Sequence, residues 1–251
     1  MWDILGALIM LTPIKLFSSD DIDKLNEDLW RTIYQKGNPL KFGSIEESKD
    51  AREIFSVVQL YGRALDRLYR GELPKGWMFG KEANKVYIEM LKDPDRGEQP
   101  YTYGERLHNY RVWSEISEWV SYIDQMDECK IELEEAIKSG IQNNRICGVI
   151  WNPLDIFLKN PPCYNWFQLR TSEGNKVSLR VLFRSHDYGN ANFANFGAII
   201  RAFQDEVIRP AGGILEELIC VSTSAHLYNN DLDMVENLVG KVPESMRRLL
   251  K

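Results

Sequence analysis

The run Val177-Ser178-Leu179-Arg180-Val181-Leu182-Phe183 carries an apolar residue at every second position from Val177. Side chains of an extended chain alternate between two faces, so this pattern demands a strand with one well-buried side. Residues 145–151, 164–170 and 218–223 are further short runs rich in β-branched and aromatic residues, bounded by Pro, Gly and Asn, and residues 54–60 read the same way. Helical segments lie among them. One is expected around 18–34, with Ser18, Ser19, Asp20 or Asp21 as cap. Residues 112–139 carry helical periodicity, ended by Ser139-Gly140. Residues 193–207 read as a helix with Ala198, Ile199, Ala202 and Phe203 inward, broken by Pro210-Ala211-Gly212-Gly213. The stretch from Gly37-Asn38-Pro39 to Gly43-Ser44 reads as turns. Strands and helices mix without strict alternation, which predicts an α+β fold rather than a doubly wound sheet.

No repeat, Ser/Gly linker or long like-charge run divides the 251 residues, so a single domain over 1–251 is expected. Lys plus Arg number 31 against 37 Asp plus Glu, a net charge of −6. That balance disfavours a nucleic-acid surface over the whole chain but leaves room for a small anion held by two or three arginines. Cys129, Cys147, Cys163 and Cys220 form no C-x-x-C pair, and three histidines are too few to suggest a structural zinc site. A reduced, cytoplasmic protein is the simplest expectation. The apolar stretch from Leu5 to Ile14 lacks a basic flank and a small-residue cleavage site and is short for a bilayer, so residues 1–16 are expected to be a buried segment, with no membrane partner.

G-x-G-x-x-G, G-x-x-x-x-G-K-[ST], H-E-x-x-H and G-x-S-x-G are all missing; Gly76 and Gly80-Lys81 stand one residue too close for the second. Dinucleotide oxidoreductases, P-loop kinases, zincins and α/β-hydrolases are therefore disfavoured. Cys163 follows Pro161-Pro162 and opens the run 164–170. Two prolines stiffen the backbone there, which suits a positioned nucleophile, while a small buried hydrophobe is the ordinary fate of a cysteine.

Around Cys163 lie Ile150-Trp151-Asn152-Pro153 upstream, Arg184-Ser185-His186-Asp187 beginning 21 residues later, Asn195 eleven residues after Arg184, and Ala225-His226-Leu227-Tyr228-Asn229-Asn230. With Tyr101-Thr102-Tyr103-Gly104-Glu105-Arg106-Leu107 before them, these motifs resemble, in order and spacing, the thymidylate synthase family, which includes the pyrimidine-nucleotide hydroxymethylases. The resemblance covers roughly residues 101–240. It implies a large mixed β-sheet flanked by helices, a sheet-to-sheet homodimer with shared sites, and transfer of a one-carbon unit from 5,10-methylenetetrahydrofolate, or a related methylene-pterin, to C5 of dUMP to give dTMP.

By this resemblance Cys163 is the nucleophile that adds to C6 of the pyrimidine. A thiolate needs a lowered pKa, which the Arg184 guanidinium would help provide while also binding phosphate; the plainer reading of Arg184 is a solvated cation at a strand end. Ser185 gives a hydroxyl to the phosphate, and Arg145 matches an arginine that reaches into the neighbouring subunit's phosphate site. Asn144 stands where the common bacterial pattern has a second arginine. Arg52 is either a further phosphate cation or a surface arginine. Asn195 reads the base edge, its carboxamide complementing O4 and N3–H of uracil, or else is a polar residue near a helix start. His226 and Tyr228, two apart on an extended segment, face one way, and the resemblance implies that the pair binds the ribose 3′-hydroxyl. Asp187 contacts the pterin, Tyr103 organises water for proton transfer, and Trp77 is the candidate by type for shielding the transferred carbon.

The early glutamate that manages proton transfer in the bacterial enzymes has no clear counterpart in 53–73, and the closing C-terminal segment is not evident in 243–251. If water reaches the exocyclic methylene before hydride does, the product is a 5-hydroxymethyl nucleotide of dUMP, or of dCMP or CMP. A nucleotide-binding protein without turnover and an unrelated α+β interaction protein are the readings from other classes.

Overall fold

The computed structural model describes residues 12–42, 49–77, 81–114 and 119–240. The first three strands are β1 (Ile14–Ser19), β2 (Asn38–Phe42) and β3 (Lys49–Tyr61). A separate antiparallel pair follows, β4 (Tyr110–Ser114) with β5 (Trp119–Ile123). The remaining strands are β6 (Cys147–Val149), β7 (Tyr164–Thr171), β8 (Lys176–Phe183), β9 (His186–Asp187) and β10 (Ile214–Tyr228). Eight of the ten make one mixed sheet in the order β1-β3-β10-β8-β7-β6, with β2 paired to β3 and β9 to β10. Strand β10 is central, antiparallel to β3 and parallel to β8 and β9. The large mixed sheet flanked by helices agrees with the expected α+β class.

The alternation seen in the sequence gives this sheet one dry face. Val58, Cys220, Val181 and Phe167 stand side by side across four strands and are all buried. Helices α1 (Ile22–Lys36) and α6 (Asn192–Phe203) bring Trp30, Ile33, Phe196, Ile199 and Phe203 into the same core. Val177, Leu179, Val181 and Phe183 all face it, as do the four residues predicted inward on α6. The opposite face carries the neighbouring register row: Leu16, Val57, Val221, Leu182, Trp166 and Val149. The middle four are half-buried, and Leu16 and Val149 at its ends are 78% and 45% exposed.

Helix α1 begins later than expected. Ser18 and Ser19 finish β1, and Asp21 is the cap, its Oδ1 accepting from the Asp23 N–H at 2.9 Å and from the Lys24 N–H. The segment 1–16 was expected to be buried; where described, Ile14 and Leu16 point outward from an edge strand and are largely exposed, and 1–11 lie outside the described residues. The expected turn region begins at Gly37, but 38–42 pair with β3 as β2, and 43–48 lie outside the described residues. The helical reading of 112–139 holds only for α5 (Gln125–Ser139), capped by Asp124 and closed by Gly140 at φ 67°. Before it, β4 and β5 take up residues whose apolar spacing mimics a helix; ladder pairing outweighs that local periodicity. The helix after residue 192 runs on from α6 through a wider π turn, Gln204–Ile208.

Three shorter helices, α2 (Arg63–Tyr69), α3 (Lys81–Lys92) and α4 (Tyr103–His108), and the late α7 (Leu232–Val239) complete the fold. Thr102 caps α4, its Oγ1 accepting from the Glu105 N–H at 3.0 Å. Gly104 sits where α4 meets the end of α3, so close that a Cβ would run into the carbonyl oxygens of Asp93 and Met90. No helix among the described residues is long and apolar enough to cross a membrane.

Candidate active site

The turn Pro161-Pro162 delivers Cys163 to the head of β7, half-buried against the core. Proline carbonyls keep their acceptors although the nitrogens have no proton, and Arg184 collects them: Nε donates to Pro162 O at 2.8 Å and Nη2 to Pro161 O at 2.7 Å. The same Nη2 lies 3.9 Å from Cys163 Sγ, and the backbone N–H of Arg184 donates to Cys163 O at 2.9 Å. Trp151, from the upstream motif, lies under the guanidinium at 5.8 Å. Arg184 is therefore tied to the cysteine's turn rather than being a solvated strand-end cation.

Burial pushes the Cys163 thiol above its ordinary value; Arg184 and a bond from Ser185 pull it down, and Asp187 adds to the rise. The net shift of the thiol is therefore upward, against the lowered value expected from the guanidinium. Arg184 acts in the expected direction, but desolvation of the thiolate outweighs it in the free site.

Cys163 opens into a cavity of about 620 Å³, walled by Tyr87, Met90 and Leu91 of α3 and by Tyr101 and Tyr103. Ser185, His186, Asp187, Ala191 and Asn195 close the other side. The Tyr103 hydroxyl accepts from the Tyr164 N–H at 3.3 Å, next to the cysteine. Burial pushes the Tyr101 hydroxyl up to about 12 and that of Tyr103 well above its ordinary value, so both stay protonated and can donate. Asp187 Oδ1 receives the N–H groups of Gly189 and Asn190 at 2.8 and 3.0 Å, which makes the turn leading into α6.

Asn195 sits in the first turns of α6 and is held at both ends. Tyr87 Oη donates to its Oδ1, and its Nδ2 lies 3.1 Å from His186 Nε2. His186 Nδ1 lies 3.0 Å from Ser222 Oγ on β10. Ser222 Oγ then reaches Tyr188 Oη at 3.3 Å, and Tyr188 Oη reaches Ser56 Oγ at 3.1 Å. Phe183 stacks on the imidazole with centroids 3.9 Å apart and planes 6° apart.

Cys163, Ser185, Asp187, Asn195 and Tyr103 thus meet around one cavity, with Arg184 beside the thiol. His226 and Tyr228 lie on β10, where His226 pairs with Asp187, and both rings pack on Phe42. Arg52 is half-buried, donating Nη1 to Tyr34 O at 3.1 Å with its guanidinium over the Tyr34 ring. Arg145 is exposed just before β6. Trp77 packs against Trp30 and Phe193, with centroids at 6.1 and 5.4 Å, and does not line the cavity. Tyr87 and Ser222 were not anticipated. Nothing local in sequence marks either, since both reach the site only through the tertiary fold.

The match to known proteins gives a class before anything finer. Residues 77–250 fit the family model described as thymidylate synthase, a family of methyltransferases that bind dUMP. A protein of Methanosarcina acetivorans carrying the name "Putative thymidylate synthase" is 31% identical over 197 residues, 77% of this chain and 82% of its own. A Methanopyrus kandleri protein of the same name is 27% identical over 162 residues, 64% of this chain and 70% of its own. The thymidylate synthase of Listeria innocua is 29% identical over 178 residues, 69% of this chain; the match spans 53% of that protein. The chain belongs to the thymidylate synthase family.

Proposed function

We propose that this protein transfers a one-carbon unit to C5 of dUMP, giving dTMP, through a transient bond between Cys163 Sγ and C6 of the ring. One observation carries the reading: a half-buried thiol, with a guanidinium nitrogen 3.9 Å away, opens into the cavity that Asn195 lines. C5 of uracil is a poor nucleophile. Addition of a thiolate to C6 moves the ring electrons toward O4 and makes C5 reactive. The thiol proton leaves before attack, Arg184 steadies the sulfur's charge, and an Asn195 N–H receives the charge growing on O4. After transfer, the C5 proton departs as the transferred carbon's bond to its donor breaks; hydride added to that carbon would make the methyl group, and Cys163 is then expelled as the ring recovers its double bond. Tyr103 holds the water that takes that proton.

Two of the Arg184 nitrogens are committed to the proline carbonyls, which leaves Nη1 for the phosphate, with the Ser185 hydroxyl beside it. Arg145 completes the phosphate clamp from a second copy of the chain, in keeping with its exposure here. His226 and Tyr228 take the ribose 3′-hydroxyl. Arg52 joins only by leaving Tyr34. A methylene-pterin, when bound, supplies the one-carbon unit and, for methylation, the hydride. Its fit rests on the Asp187 carboxylate and the apolar wall of Met90 and Tyr101 in the same cavity. The half-exposed apolar row on the sheet's open face supports a sheet-to-sheet homodimer.

The position of Trp77 favours a second reading. The tryptophan expected to keep water from the transferred carbon is packed against Trp30 and Phe193 and is not in the cavity wall. Water capture would then give 5-hydroxymethyl-dUMP, or the cytosine analogue. Mass spectrometry of the product from dUMP and from dCMP with methylenetetrahydrofolate separates the two. dTMP with dihydrofolate supports methylation, and a hydroxymethyl nucleotide without dihydrofolate rejects it. Release of tritium from C5 of dUMP, abolished in Cys163→Ala with binding retained, is expected for either enzyme. No release from the native protein would reject both and leave a nucleotide-binding role.

A further inference from the structure

Asn195 can read a base in two ways, and the structure holds it to one. A carboxamide shows an acceptor and a donor side by side. Turned one way, its N–H meets uracil O4 and its oxygen meets N3–H. Turned over, the same edge meets the cytosine amino group and unprotonated N3. Discrimination thus depends on what fixes the amide about its last torsion. The Tyr87 hydroxyl cannot fix it alone, because a hydroxyl serves as donor or acceptor. The imidazole can. His186 is fully enclosed, stacked on Phe183 and met edge-on by Tyr188 and Phe196. Its Nδ1 faces Ser222 Oγ and its Nε2 faces Asn195 Nδ2.

We propose that His186 is the positioning residue for base choice: as the neutral Nδ1–H tautomer it donates to Ser222 and accepts from Asn195, which locks the carboxamide in the orientation that takes uracil and refuses cytosine. The proposal rests on the nucleotide reading above and adds the device that sets its base specificity. The donors then run in one direction, from Asn195 to His186, Ser222, Tyr188 and Ser56, with a partner at each step. One Asn195 N–H and one oxygen lone pair remain for the base, which either pyrimidine edge could use, so the orientation of the amide alone decides between them. Burial, which holds the imidazole neutral, agrees with this assignment.

The experiment measures dissociation constants for dUMP and dCMP on the native protein, His186→Phe and His186→Gln. The native protein is expected to prefer dUMP. His186→Phe removes the acceptor and should cut the dUMP-to-dCMP preference by about tenfold or more, chiefly through tighter dCMP binding. His186→Gln offers a carboxamide oxygen in place of Nε2 and should restore part of the preference. If His186→Phe weakens both nucleotides equally, or leaves the preference intact, His186 has no role in base choice and the proposal is overturned while the nucleotide site stands. If the native protein binds neither nucleotide, the function proposed above fails first and this proposal with it. Nitrogen-15 NMR of the native protein tests the tautomer without any variant: a protonated Nδ1 with a bare Nε2 supports the lock, and a protonated Nε2 overturns it.

Discussion

At the scale of single residues the site is a contest between burial and charge at one sulfur. Burial raises the Cys163 thiol and Arg184 opposes it. In the free protein, alkylation of Cys163 by iodoacetamide should therefore keep rising beyond pH ~9. Arg184→Ala should slow it about tenfold at pH ~8, since an opposite charge at this range is worth one or more pKa units. Peptide mass spectrometry reads the result, with exposed Cys147 as internal control. Motif order and spacing in the sequence singled out Cys163, Arg184 and Asn195, and the fold brings Cys163 and Asn195 to one cavity with Arg184 beside the thiol. The partners of Asn195 were not legible in sequence. Tyr87 lies 108 positions away, on a helix whose own pattern says only that it is amphipathic. His186 stood in plain view within Arg184-Ser185-His186-Asp187, yet its role depends on Ser222, which only the sheet brings near.

At the scale of elements, strands whose alternation is strong were legible, and those whose identity depends on a neighbour were not. β8 carries its buried face in its own sequence, and β3, β7 and β10 were located from composition. β2 forms only because β3 lies alongside, and β4 and β5 have apolar residues spaced as a helix would have them. Helix ends are similar: four capping candidates stood together, and the end of β1 selected Asp21. The junction of α3 and α4 carries Tyr87 and Tyr103 to the same cavity. Gly104→Ala drives a methyl into two backbone carbonyls there. It should destabilise the protein by about 1–3 kcal/mol in urea unfolding. It should also weaken dUMP binding in those molecules that remain folded.

At the scale of the whole molecule two properties are open to measurement. His186 and His226 are buried, and burial holds both below the ordinary histidine value. The unfolded chain takes up protons that the native state refuses. The stability tied to each is thus full above about pH 6.5 and is lost as pH falls from there through the depressed native value. For His186 alone the loss by about pH 5.5 is on the order of 1 kcal/mol. Asp231 and Glu206 are raised by burial and work the other way at lower pH, so their stabilising share fades as pH rises through their native values. Comparing thermal unfolding of the native protein and His186→Phe at the two pH values isolates the histidine, and the variant should lose less. The second property is association. Trp166→Asp or Val221→Glu puts a charge into the apolar row on the open face. In sedimentation equilibrium either change should shift the proposed dimer to monomer, and with it should go the proposed activity if Arg145 acts from a second copy.

The central strand of the sheet is also the last strand of the described chain. β3 and β8 flank β10, and neither has its inner neighbour until residues 214–228 exist. A ribosome making this protein must extrude residues 214–228 before the ladder can zip. Through that interval two apolar ribbons stand with bare hydrogen-bonding edges, open to mispairing with other nascent copies. Chaperone demand during synthesis should accordingly last until residues 214–228 emerge, and a chain stopped just short of residue 214 should give an aggregating fragment rather than a weakened enzyme.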